Sequence, residues 1–320
     1  MWRYILKRLI FVIPVTLFCT FVVFSIMNIK PGDPGRNILG LDATQEAVDA
    51  YNHQLGLDRP FLIRYGDYML NLLKGDFGKS YYGGKEIGTQ IRTFFPNTLK
   101  LSVFSIIFSL IVGLPLGVLS AVKQYSFLDR LSTIIAMILA CIPSFWLCLL
   151  LMMAFSVKLK WLPAFGTNDW KCWILPILAC SANTIGSIIR MTRSSMLEEI
   201  RKDYVRTARS KGAKERTVIY VHALRNSLIP VVTTLGSRLT GLIGGAVFVE
   251  SVFAIPGIGR LVVNSINTND TNVVVGAVVL ISVCSVLINL LVDVVYAYLD
   301  PRIKAKYISS AKKRTSGVAT

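Results

Sequence analysis

Asn97–Val122 reads NTLKLSVFSIIFSLIVGLPLGVLSAV, twenty-six residues with one charge, Lys100, near the start. A bilayer's hydrocarbon core is about 30 Å thick and takes roughly 20 apolar residues of helix to cross. That medium offers a backbone no water, so the stretch must satisfy its own N–H and C=O groups, as a helix does. Reading outward, runs that meet or approach the same demand lie at Leu9–Asn28, Leu131–Val157, Trp173–Ile189, Ile229–Phe253 and Asn272–Leu299. The expectation is an all-α membrane protein with six transmembrane helices. The fourth run is the least regular, because Pro176, Asn183 and Thr184 interrupt it. Composition agrees: 53% of the 320 residues are hydrophobic, the mean hydropathy is +0.56, and 17% are charged, where a soluble domain carries about 25%.

Lys and Arg accumulate on the cytoplasmic side of membrane proteins. With the N-terminus inside, segments 1–8, 123–130, 190–229 and 301–320 are cytoplasmic and hold 21 of the 35 basic residues. The outer segments 30–96, 158–172 and 253–272 hold 12. Five acids, Asp129, Glu198, Glu199, Asp203 and Glu215, offset the inner set, so nearly all of the +17 net charge is cytoplasmic. Both termini are then inside. Topology accounts for the basic pI without nucleic acid, since the positive residues are spread over four segments. The first span follows Arg3, Lys7 and Arg8, a pattern shared with signal peptides. No small-residue cleavage site follows it, which favours an uncleaved anchor.

The chain divides in expectation into residues 1–29 (cytoplasmic N-terminus and first helix), 30–96 (a folded external loop), 97–300 (a five-helix core carrying the cytoplasmic segment 190–229) and 301–320 (a basic cytoplasmic tail). The 30–96 loop is too long for a plain connector. It opens on Pro31-Gly32-Asp33-Pro34, a turn cluster, and Asp58 ahead of Pro60 marks a helix start. Phe61, Tyr65, Tyr68, Met69 and Leu72 then recur at helical spacing, and Gly75-Asp76-Phe77-Gly78 ends that helix. A second amphipathic piece spans Glu86 to Phe95. Two readings stand for the loop, a structured spacer and a docking surface for an external partner.

No catalytic set emerges. His53 and His222 fall on opposite sides of the membrane, so they cannot share a metal. Gly78-Lys79-Ser80 resembles the end of a phosphate-binding loop, but Leu73 stands where such a loop requires glycine. The six cysteines lack paired spacing and read as small packing residues. Ionisable residues within the spans are Lys100, Arg238, Glu250 and Asp293. Glu250 and Asp293 lie near helix ends and suit interfacial or packing roles, and Lys100 suits an outward-reaching one. Arg238, nine residues past Ile229 and so roughly 13 Å along a helix, either lines a pathway or pairs structurally. Gly113-x-x-x-Gly117 and Gly241-x-x-x-Gly245 have the spacing that lets helix backbones approach, either inside the chain or against a second subunit, and Pro115 suggests a kink.

Within 190–229, Met196, Ile200, Tyr204 and Ala208 share one face of a helix that Gly212 stops, and a second helix begins over Thr217–Leu224. A helix–glycine–helix with a mixed basic and apolar surface suits a groove on a soluble partner, with a plain amphipathic surface helix as the alternative.

That loop resembles the EAA coupling loop of ATP-binding-cassette (ABC) importer permeases. The match is to the di- and oligopeptide branch, with its R-T-A-R-x-K-G…H-A-L-R-N pattern at Arg206–Gly212 and His222–Asn226. The resemblance continues along the chain through Leu55-Gly56-Leu57-Asp58, Gly75–Ser80, Ile142-Pro143-Ser144-Phe145, Arg190–Met196, Glu250–Phe253, Pro256-Gly257-Ile258-Gly259 and Asp300-Pro301-Arg302. It implies a type I importer permease fold, with Gly212 at the turn and Ala208 to Gly212 at the ATPase contact. The coupling set it implies is Tyr204, Arg206, Thr207, Ala208, Lys211, Gly212, Ala213, His222 and Asn226, with Arg238 as a pathway candidate. Arg206 departs from the general pattern, which has Glu there, and Arg225 stands where other branches have Pro. Both departures fit the peptide branch.

The implied partners are a second homologous permease, two cytoplasmic ATPases that bind ATP and Mg, an extracytoplasmic binding protein and the bilayer. The chain itself is then a non-catalytic subunit with no cofactor of its own. Nickel chelates, glutathione and oligosaccharides are alternative solutes. An ion-coupled secondary carrier is a rival class, disfavoured by the shortage of buried carboxylates.

Overall fold

The structure, a computed structural model, describes residues 2–30, 32–40 and 42–299, without side-chain detail for 2–9, 245 and 296–299. Pro31, Asp300-Pro301-Arg302, the tail 301–320 and the Arg3, Lys7 and Arg8 side chains lie outside that description. The elements are α1 (Trp2–Ile29), α2 (Pro34–Leu39), α3 (Gln45–Gln54), α4 (Phe61–Leu73), α5 (Ile87–Val122), α6 (Phe127–Cys141) and α7 (Ser144–Leu151), which continues as a π-helical turn, Met152–Lys158. Then come α8 (Lys171–Ile200), α9 (Asp203–Ser210), α10 (Glu215–Thr217), a second π turn (Val218–Ala223), α11 (Leu224–Gly245), α12 (Val247–Val252), α13 (Ile258–Asn267) and α14 (Thr271–Leu299). The described residues form an all-helical protein with one isolated bridge, Lys79 to Glu86. Five helices are long and apolar enough to cross a membrane, and α6 with α7 makes a sixth crossing if taken as one bent span.

The helices sort into two compact units. One is built on Leu101–Leu242 with the end of α14; the other joins Leu9–Lys100 to Ile243–Val286.

In the first unit α8 is central. Of its most apolar stretch 72% is buried, against 17% for α1. This is the span the sequence left least regular, yet it runs unbroken for 30 residues. Pro176 falls in its second turn. Two polar side chains are satisfied inside the protein: Asn183 Nδ2 donates to Ala140 O of α6 at 3.0 Å, and Ser181 Oγ donates back to Leu178 O of its own helix at 2.9 Å. The break occurs in the third span instead. Pro143 has no N–H and holds Ile142 in an extended conformation (φ −69°, ψ 123°), so α6 stops and α7 leaves at 103°. By contrast α5 passes Pro96 and Pro115 without a break in the helix.

Glycines set the spacing within this unit. A Cβ on Gly113 would lie 3.0 Å from Ile188 Cβ, and one on Gly117 would lie 2.6 Å from Thr192 Cβ, so the predicted Gly113–Gly117 pair is a helix contact. Position and partner advance together, so α5 and α8 run parallel and the chain between them makes a full return. Nothing in the chain lies within 4 Å of a Cβ on Gly241, so that position makes no contact inside the subunit; a Cβ on Gly236 would lie 2.3 Å from Val292 Cγ2. Gly186 is the tightest against backbone, its Cβ position 2.5 Å from Ala136 O. Gly186→Ala is therefore expected to cost roughly 1–3 kcal/mol through overpacking, read as a lower melting temperature of the purified permease. Gly241→Ala, with open space around it, should not lower it.

In the second unit α4 packs on α1 through Phe21, Phe24, Phe61 and Tyr65, with ring centroids 5.3–5.8 Å apart. The predicted helix is there, with Pro60 rather than Asp58 at its N-cap. The Glu86–Phe95 piece is not a separate loop helix; it is the start of α5, whose helical ladder continues straight through Pro96. Asp33 accepts from Arg36 N to cap α2 and from Asn52 Nδ2 at 2.8 Å. Ser80 donates to Asp270 at 2.5 Å, Asn272 to Lys79 O at 3.2 Å, and Lys30 to Ile266 O, tying the 30–86 segment to the α13–α14 connection.

Glu250, expected to have an interfacial or packing role, is fully buried in this unit. Thr98 Oγ1 donates to its Oε1 at 2.7 Å and the Arg260 N–H to its Oε2 at 2.9 Å, while Thr98 accepts from Ile258 N at 2.8 Å. Gly257 and Gly259 leave room for the carboxylate: a Cβ on Gly257 would stand 2.2 Å from its Cδ.

Candidate coupling site

The 190–229 segment begins as the continuation of α8, which ends at Ile200. Arg201 caps it, Lys202 turns extended (φ −71°, ψ 151°), and α9 starts with Asp203 in its first turn, where a carboxylate complements the positive helix end. This break corrects the expectation of one face through Met196, Ile200, Tyr204 and Ala208. Met196 is buried on α8, but on α9 the inward residue is Val205, fully buried, and Tyr204 is 38% exposed. The helix is broken at Arg201–Lys202, so helical spacing cannot be carried across.

Gly212 ends the element as expected. Its φ is +80°, the left-handed region that favours glycine. Its N–H donates to Arg209 O at 2.9 Å, Lys211 N to Thr207 O at 3.1 Å and Ala213 N to Ala208 O at 3.2 Å. Arg209 pairs across the turn with Glu215 at 2.7 and 3.1 Å, an exposed pair worth roughly 0–1 kcal/mol. After it the chain re-enters the core. Val218, Ile219 and Ala223 lie buried; Ile219 and Ala223 pack with Met196 of α8 and Val118 and Ala121 of α5.

Tyr204 fastens α9 on its other side. Its hydroxyl donates to Glu199 Oε2 at 2.5 Å and accepts from Asn226 Nδ2 at 2.9 Å, touching the end of α8 and the start of α11 at once. Glu199 also holds Lys202 Nζ at 2.6 Å. Burial first, then the bond to Glu199, pushes the Tyr204 phenol above its ordinary range. The same carboxylate raises the Lys202 ammonium.

Arg206, Thr207, Lys211 and Gly212 are exposed, Ala208, Ala213 and His222 partly so, and Asn226 is exposed beside Tyr204. All nine expected coupling residues thus lie on or beside one helix–turn–helix. Its surface is basic, with Tyr220 and Val221 adding apolar area, 55% and 56% exposed. Glu199 escaped the sequence reading, since its role depends on Tyr204 folding back over it. Arg238 stands apart on α11, half-buried, with Nη2 donating to Ser187 Oγ of α8 at 2.7 Å.

Residues 113–305 match the binding-protein-dependent transport system inner membrane component family, and residues 1–102 match the N-terminal membrane component of such systems. This chain belongs to that family. The permease is 40% identical to the dipeptide transport system permease protein DppB of Alkalihalophilus pseudofirmus, over 95% of its own length and all of the relative. It is also 40% identical to the glutathione transport system permease protein GsiC of Salmonella typhimurium, over 96% of its length and all of that protein. Among solved structures it is similar to an inward-facing conformation of the MetNI methionine ABC transporter. That match has a TM-score of 0.55 and 22% identity, covering 64% of the permease and 93% of the other chain. The permease therefore has the type I importer fold and is the multi-pass membrane subunit of a binding-protein-dependent ABC importer.

Proposed function

We propose that the permease, paired with a second homologous permease, forms the uptake pathway for small peptides and is driven by two cytoplasmic ATPases through α9. The observation that carries this reading is a short helix held at one end by Tyr204 and stopped at the other by Gly212, with basic and apolar residues left exposed between them. A groove on a soluble partner receives such an element, and a push on it reaches both helices to which it is tied. ATP and Mg bind to the ATPases; this chain contributes the path and the coupling. The excess of Lys and Arg supports a cytoplasmic 190–229 segment and cytoplasmic termini, with the 30–96 segment outside, beside the binding protein.

A peptide substrate is supported by the relatives that carry dipeptides and glutathione, itself a peptide. Nickel chelates and oligosaccharides are the alternatives within this role. The decisive experiment is uptake of a labelled dipeptide by cells expressing the full importer. ATP depletion should stop uptake and a protonophore with ATP maintained should not; the opposite pattern identifies an ion-coupled carrier.

Arg238 is assigned to the pathway wall, held by Ser187. Arg238→Gln should lower uptake about tenfold, within the range of single coupling terms, with unchanged protein level and ATPase retention. Uptake at the wild-type rate leaves Arg238 a purely structural role.

A further inference from the structure

Helices α6 and α8 are pinned together along their whole overlap. At the start of α6, Arg193 Nε donates to Asp129 Oδ1 at 2.6 Å and its Nη2 to Oδ2 at 2.9 Å. In the middle, Gly186 lets α8 lie directly against the Ala136 carbonyl. At the far end Asn183 donates to Ala140 O. As α6 advances from 129 to 140, its partner on α8 retreats from 193 to 183, so the pair is antiparallel and in constant register.

The first of these ties is unlike the other two. Asp129 is 3% exposed and collects two further donors, Ser120 Oγ at 2.5 Å and Tyr125 N at 2.9 Å. Tyr125 sits in the α5–α6 turn at φ +65°, a strained conformation for a non-glycine residue, and Asp129 holds it there. One carboxylate thus joins the end of α5, the turn, the start of α6 and the lower part of α8. Arg193 lies seven residues before α8 ends, about 10 Å along the axis from that end, and α9 follows after Arg201–Lys202. Replacing a buried ion pair by uncharged side chains of similar volume is often neutral for stability. What the two-pronged guanidinium–carboxylate pair adds is a fixed direction.

We propose that Asp129 and Arg193 are positioning residues for coupled transport: their ion pair makes α6, α8 and the α5–α6 turn one rigid lever. Displacement of α9 enters that lever at Arg193 and leaves it at the Pro143 bend. The proposal rests on α9 being the ATPase contact.

The test uses the assembled importer in lipid nanodiscs, with ATP hydrolysis measured with and without binding protein loaded with dialanine or with glutathione. Asp129→Asn should retain the ATPases and basal hydrolysis yet lose about tenfold of the stimulation, within the range of coupling between distant sites. Arg193→Lys, which keeps the charge but only one prong, should lose less. The double variant Asp129→Asn with Arg193→Gln, which keeps an acceptor for Ser120 and Tyr125 and leaves no lone charge, should keep yield and thermal stability but not stimulation, which a merely structural role does not predict. Wild-type stimulation in that double variant overturns the proposal. If Asp129→Asn does not assemble, Arg193→Lys and the double variant decide by the same ratio. Failure of the wild-type permease to retain ATPase subunits sinks the α9 reading itself, and with it the lever, before any variant is made.

Discussion

Valine at position 212 is expected to lower uptake at least about tenfold while the permease still reaches the membrane, because a β-branched residue at positive φ costs roughly 1–3 kcal/mol. The penalty is one of backbone alone. Gly212 sits at φ +80° with nothing within 4 Å of a Cβ position, so no steric clash contributes. The effect should therefore be graded by backbone preference and not by size. Asparagine, which tolerates the left-handed region, should stay near wild type, alanine should fall between, and valine should be worst. The strain matters because the turn fixes where α9 ends and lets Ala213 and Glu215 close back on it. If the turn relaxes, α9 no longer presents a fixed surface. Uptake assays normalised to membrane protein level check this, and a valine variant with wild-type uptake removes Gly212 from the coupling element.

Glu250→Ala should be the most damaging single change to stability, at about 3–5 kcal/mol from two stranded donors and the cavity left behind. Thr98 Oγ1–H and the Arg260 N–H both lose their acceptor in a site with no solvent access. The space between Gly257 and Gly259, kept open for the carboxylate, is left empty. Glu250→Gln keeps one acceptor oxygen for Arg260 and fills the same volume, so it should lose less than half as much. Thermal melting of the purified permease measures both. An alanine variant that melts with the wild type means the 250–260 turn does not depend on this carboxylate.

Some of this architecture could be read in advance and some could not, and the division follows how far apart the interacting groups lie in the chain. The Phe61–Leu72 spacing and the Gly75 stop gave α4 correctly because a helix is specified by residues three and four apart. Gly212 was legible for the same reason. The single face through Met196, Ile200, Tyr204 and Ala208 failed because it assumed one axis where the chain breaks at Arg201–Lys202. The fourth span looked interrupted because Pro176, Asn183 and Thr184 are costly in lipid. In the folded protein α8 is the most enclosed of the spanning helices: Pro176 and Thr184 are buried, and Asn183 donates to Ala140 O.

Membrane residence and the near count of spans were set by the sequence alone, and so was the expectation that the 190–229 segment is cytoplasmic. Transfer of a helix into a bilayer is a sum over local residues, and the Lys and Arg bias is counted loop by loop. Only the tertiary structure decided which buried charges are structural and what each one holds. Asp129 and Arg193 are 64 positions apart, Thr98 and Glu250 are 152. A hydrogen bond is a property of a pair of groups, and neither member of such a pair carries a mark of where the other will be.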